Sequence, residues 1–157
     1  MCLVIDTCCI ASLLNPHDRN HDQFTPVLAW IASGKGRMIY GGTKYARELR
    51  TLARYTPAIA EFTRSGRVVK LEDAQVDAVA RRVRQLVNDR RMDDEHLIAI
   101  MIVSGCRVIC TNDNRAIRYL KMRNLYAHHK RKRPRIYRSL RNAHLCSDAN
   151  LIPACRR

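Results

Sequence analysis

The longest apolar run in the sequence, Leu97 to Val103, falls far short of the roughly 18–20 residues needed to span a bilayer. It suits a buried helix rather than a transmembrane one. No charged segment precedes the apolar start of the chain, and Asp6 interrupts that start. A signal peptide is therefore not expected, and a cytoplasmic location is. A C-x-x-C spacing is also absent, and no internal repeat is visible. Of the seven cysteines, Cys2, Cys8, Cys9, Cys106 and Cys110 lie in apolar stretches. They read as small buried hydrophobes. His144, Cys146 and Cys155 match no zinc module in their spacing and read as scattered surface residues.

Acid is scarce at one end. From Arg115 to Arg157 there are 13 Lys and Arg but a single acid, Asp148. The preceding 114 residues carry 16 basic and 13 acidic side chains, so nearly all of the net charge of +15 belongs to the C-terminal part. It peaks at Lys130, Arg131, Lys132, Arg133 and Arg135. Such a strip releases counterions on meeting a polyphosphate, which makes nucleic acid the expected partner. Tyr126, His128 and Tyr137 are interleaved with it and offer faces for stacking on bases. Pro134 and the shortage of large apolar residues there argue against a membrane-surface helix.

What the sequence does contain is a regular alternation. Its 157 residues, 46% of them hydrophobic, form one domain able to bury about two-thirds of its unfolded surface. Short apolar runs at Cys2–Ile5, Arg37–Tyr40, Val68–Leu71 and Arg107–Cys110 predict strands. Ile136-Tyr137 predicts a fifth, at an edge. Between them, helices are expected over Ile10–Leu14, about Thr25 to Ser33, from Thr43 through Leu52, and from Thr56-Pro57 to Ser65. Further helices are expected over Asp73–Val87, after Asp94, and from Arg115 to Leu120. Asp73–Val87 carries Val76, Val79, Val83 and Leu86 on its inward face. Strands alternating with helices imply an α/β fold: a parallel sheet of four to five strands between two helical layers.

In such sheets ligands bind beyond the carboxyl ends of the strands. Asp6 follows the first strand and Asp113 the fourth, so both belong to that edge. Asp94 opens the helix leading into the fourth strand, and Glu48 lies within the helix after the second. Each has an ordinary use: Asp94 and Asp113 as helix caps, Glu48 as a solvated helix acid. Asp6 is harder to dismiss, since a charge directly after an apolar strand needs a partner. Carboxylates gathered at one edge repel one another, and a hard divalent cation resolves the conflict. Two rivals fall on the residues after the first strand. A haloacid-dehalogenase phosphatase needs a second Asp where this chain has Cys8, and a dinucleotide site needs glycines where it reads Thr7-Cys8-Cys9-Ile10.

Val4-Ile5-Asp6-Thr7, Glu48-Leu49, Asp94-Glu95-His96-Leu97-Ile98-Ala99 and Thr111-Asn112-Asp113 stand in the order and spacing of the PIN-domain nucleases, which the chain resembles from Cys2 to about Leu120. The resemblance implies a PIN-like three-layer fold over residues 1–157, with 121–157 a basic extension. It implies Mg²⁺ or Mn²⁺ held by Asp6, Asp94 and Asp113, with Glu48 either completing the shell or orienting a water. Thr7, Thr111 and Asn112 would steady those acids. It further implies cleavage of RNA, with DNA as the alternative, and many such nucleases are the toxin half of a toxin–antitoxin pair. An antitoxin partner and a homodimer follow from the same likeness. Where the family often carries another acid, three residues beyond Asp113, this chain has Ala116. A non-catalytic RNA-binding module on the same fold is the reading from a different class.

Overall fold

The structure is a computed structural model and describes residues 2–129, 133–150 and 152–155. Five parallel strands form one sheet in the order β3-β2-β1-β4-β5. They are β1 (Cys2–Ile5), β2 (Arg37–Tyr40), β3 (Val68–Lys70), β4 (Val108–Cys110) and β5 (Arg135–Tyr137). The helices between them are α1 (Ile10–Leu14), α2 (His21–Ala32), α3 (Thr43–Thr51), α4 (Thr56–Arg64), α5 (Asp73–Val87), α6 (Glu95–Ser104) and α7 (Asn114–Leu120). Helices flank the sheet in a three-layer α/β/α arrangement, as the alternation predicts. Among the described residues no helix is long and apolar enough to cross a membrane.

Every residue of β1 and β4 is buried, because each strand has a neighbour on both sides and helices over both faces. α6 is buried nearly all round, from His96 to Ile102. Each of its large apolar side chains contributes about 1.5–3 kcal/mol by leaving water. The chain leaves β1 toward β2 on one side and leaves β4 toward β5 on the other. The carboxyl ends of β1 and β4 therefore form the topological switch point of the sheet, where a parallel topology opens a crevice. Their register sets Ile5 beside Cys110, and the Asp6 amide continues the ladder by donating to the Cys110 carbonyl at 2.9 Å.

Four expectations from sequence are corrected. α2 begins at His21, not near Thr25, and runs through Pro26. Proline lacks the N–H that would reach the Asp22 carbonyl, and the Thr25 hydroxyl donates to that carbonyl instead, at 2.9 Å. Leu86 is 60% exposed, because α5 rolls onto α6 through Val76 and Val83. Tyr126 and Tyr137 are core residues, not stacking platforms; the Tyr137 hydroxyl donates to the Gln23 carbonyl at 2.9 Å. The side chain of His128 lies outside the described set. Among the cysteines, Cys8 is exposed, and Cys155 is buried and disulfide-bonded to Cys2, tying the last described turn to the first strand.

The turn from β2 into α3 fixes how α3 meets α5. Gly42 takes φ +88°, and a Cβ there would meet Val76 Cγ1 at 2.7 Å. Only glycine fits both constraints. The close approach lets α5 cap α3: the Gly42 and Thr43 amides donate to Asp73 Oδ1 and Asp77 Oδ1, each at 2.9 Å. Thr43 itself is the first helical residue, not the cap.

Candidate functional site

Asp6 sits at the switch point, 6% exposed. The Thr111 hydroxyl donates to its Oδ2 at 2.6 Å and the Cys8 amide to its Oδ1 at 3.2 Å. Thr111 follows the end of β4, so this bond adds a side-chain link between the two strand ends to the Asp6–Cys110 ladder bond. Its hydroxyl also accepts from the Asp113 amide at 3.1 Å.

Asp94 is the residue immediately before α6, yet its side chain makes no capping hydrogen bond. Its Oδ2 is buried without a partner among the described residues. Burial, then the charges of Asp93 and Asp6, push its carboxyl up to about 7. Asp94 thus lies near enough to Asp6 for their charges to repel, and among the described residues no Lys or Arg pairs with either. Asp113 behaves differently. It caps α7 by accepting from the Arg115 amide at 2.7 Å, and the Arg115 guanidinium lies 3.6 Å from its Oδ2. The same guanidinium stands 3.8 Å from Asp93 Oδ2, on the solvent side of the cluster.

Glu48 is not a solvated helix acid. The Thr7 hydroxyl donates to its Oε2 at 2.8 Å, and His96 Nε2 stands 3.4 Å from the same oxygen. Burial pushes the Glu48 carboxyl up, but the imidazole, the Thr7 hydroxyl and Lys44 together outweigh it and hold the pKa below the usual carboxylate value. Thr7 and Thr111 therefore each donate a hydrogen bond to one of these acids. Asn112 does not: no hydrogen bond joins its side chain to these acids among the described residues. His96, which carries no assigned role in the sequence motif, joins the site. It is buried, faces Glu48, and tilts its ring against Tyr45 at 6.2 Å. The Tyr45 hydroxyl in turn donates to the Ile5 carbonyl at 2.5 Å, anchoring α3 beneath the site. Lys44 was also missed; it reaches the Asp93 carbonyl and lies 3.2 Å from Glu95 Oε1. Its place one helical turn before Glu48 was the available signal.

Of the basic strip, Arg133 and Arg135 are exposed, Arg135 on the edge strand beside β4. Lys130, Arg131 and Lys132 lie outside the described residues.

Whether these residues suit a divalent cation turns on the Asp6–Asp94 pair. Among the described residues no three His, Cys, Asp or Glu side chains form a ready metal cage. Mg²⁺ does not require one, since it keeps several waters and is commonly bound through one or two carboxylates. A buried, partnerless carboxylate oxygen on Asp94, beside a second carboxylate, is a donor set that fits such an ion.

Comparison with known proteins is brief. No protein-family model matches the chain, and no curated protein does.

Proposed function

We propose that this chain is a PIN-type nuclease, dependent on Mg²⁺ or Mn²⁺, that hydrolyses phosphodiester bonds in RNA. The observation that carries the reading is the half-buried Asp94 carboxyl, one oxygen of which is buried without a hydrogen-bond partner among the described residues and which is crowded by Asp93 and Asp6 at the switch point of a parallel sheet. A structural acid at a helix start would cap the helix, and this one does not.

Asp6 and Asp94 are the residues that would hold the cation. Once bound, the ion makes water nucleophilic at neutral pH and offsets charge developing on the scissile phosphate. The chain's own residues do the rest. The Thr111 hydroxyl holds the Asp6 carboxylate in one orientation. Thr7 and His96 hold Glu48 in its charged form at the rim, a third exposed, where it can accept a proton from an attacking water or add a ligand oxygen. Asp113, occupied by its helix and by Arg115, stands as an outer member of the group rather than an equal of Asp6 and Asp94.

Incubating labelled single-stranded RNA and DNA with the purified protein tests the reading. Cleavage in Mn²⁺ is expected to vanish with chelator and in Asp6→Asn, with RNA cut in preference. Cleavage by Asp6→Asn at the wild-type rate means the site lies elsewhere. Binding of RNA without any Mn²⁺-dependent cutting means the chain is a binding module on this fold.

A further inference from the structure

Beside the acids, α3 and α5 enclose a cleft of about 450 Å³ that the acid chemistry does not use. Its walls are cationic. α3 contributes Lys44 and Arg47, three residues apart and so on one face; α5 contributes Arg81 and Arg84 at the same spacing. Two acids also line it, and both are already engaged. Asp77 caps α3 through the Thr43 amide. Glu95 lies between Lys44, at 3.2 Å, and Arg84, at 3.6 Å. Arg47 and Arg81 are left over: both are exposed, and among the described residues neither side chain has an ion pair or hydrogen bond. At the floor lies His96, its side chain 3% exposed, with Nδ1 buried and without a hydrogen-bond partner among the described residues. A walled cleft, two unpaired guanidinium groups and a buried polar atom without a partner together describe a site built for an anion.

We propose that this α3–α5 cleft is a phosphate subsite, gripping a phosphate of the substrate strand next to the one being cut. The identity of the ligand rests on the nuclease reading above. The position favours it. His96 and Asp94 are two residues apart, about 3 Å of helix rise, so a strand whose scissile phosphate meets Asp94 carries its neighbours across the cleft mouth. Guanidinium forks suit phosphate oxygens and pair with them bidentately. The arrangement also meets a requirement of the chemistry. Carboxylates repel the backbone they must approach, and fixed positive charge one step along the strand offsets that without competing for the cation. Interactions of this kind hold any sequence, so the cleft sets affinity and strand placement rather than base preference.

The test is equilibrium binding of a short fluorescent single-stranded RNA to the full chain in EDTA, by anisotropy over a salt series. Arg47→Ala/Arg81→Ala is expected to weaken binding about tenfold or more at low salt. It should also flatten the slope of log affinity against log salt by about 0.7, the amount for one single-strand phosphate that is no longer neutralised. Arg47→Lys/Arg81→Lys, which keeps the charges, should recover most of that slope. Both positions are exposed, so the thermal unfolding midpoint of either variant should match wild type and exclude misfolding as the cause. An unchanged slope in the alanine variant, when wild type both binds and cuts RNA, overturns the subsite and leaves the nuclease reading standing. A flattened slope in that variant, when wild type never cuts in Mn²⁺, overturns the nuclease reading and keeps the cleft as an RNA-binding site. A wild type that binds no RNA overturns both.

Discussion

Asp94 and Asp113 occupy the same place relative to their helices, each the residue before the first helical turn, and their surroundings separate them. Asp113 is satisfied: it accepts from the Arg115 amide at 2.7 Å, and the Arg115 guanidinium lies 3.6 Å away. Asp94 has a buried oxygen with no partner and a carboxyl pushed up to about 7 by burial and by Asp93 and Asp6. The difference comes from what each helix does. α7 starts toward solvent, where Arg115 can fold back. At the start of α6 the charges that weigh most on Asp94 are those of other acids, Asp93 and Asp6. One aspartate is spent on local structure, and the other is left for something the fold does not itself provide.

The sharpest way to break that comparison is to neutralise each acid in turn. Asp94→Asn is expected to lower Mn²⁺-dependent RNA cleavage by about 100-fold or more, since even outer partners of metal ligands are worth about 10–100-fold. Its urea midpoint should hold or rise, because the repulsion with Asp6 is relieved. Asp113→Asn keeps a side chain that caps equally well, so stability should be unchanged and cleavage should fall by about tenfold or less. Equal losses in the two variants would place Asp113 in the metal shell beside Asp94.

A smaller effect distinguishes the two threonines. Thr111→Val removes the 2.6 Å bond to Asp6 and should weaken Mn²⁺ binding about tenfold. Thr7→Val removes only the bond to Glu48, which retains His96, and its Mn²⁺ titration should shift less. The reverse ranking would move the ligand role from Asp6 to Glu48.

The smallest effect concerns the link between the loop before α6 and the last turn of α7. Asp89, in the loop before α6, accepts from the Arg91 amide at 3.0 Å and from the hydroxyl of Tyr119 in α7 at 2.8 Å. These bonds, that from the Arg91 amide foremost, lower its pKa from 3.8 to about 2. A carboxyl whose folded pKa is depressed adds stability above its unfolded value and loses it as pH falls through the folded one. The urea midpoint of wild type should therefore exceed that of Asp89→Asn at neutral pH, and the two should converge between about pH 4 and pH 2. A gap that stays constant over that range would mean the bonds do not depend on the charge.

Much of this architecture is legible in the residues. Fully apolar runs ending at Asp6 and Thr111 announce buried parallel strands, and the helices between them force the crossovers. The start of α2 was hidden because Pro26 reads as a boundary, whereas a hydroxyl one residue away takes the carbonyl that proline leaves open. Leu86 keeps the helical period of an inward residue but is left largely exposed. Tyr126 and Tyr137 lie among arginines in the sequence and inside the core in the fold, since neighbours along a chain say little about neighbours across it.

The sequence alone determined the layer order, the edge to which the strand-end acids belong and the crowding of positive charge toward the C-terminal part, because all three follow from local periodicity and composition. Which aspartate is spent on a cap and which is left unpaired was decided only in three dimensions, as was the union of α3 and α5 cations in one cleft. Those outcomes depend on which charges lie within a few ångströms across the packed helices. The Coulomb energy and desolvation of a group follow distance and burial, and neither is written in the order of residues.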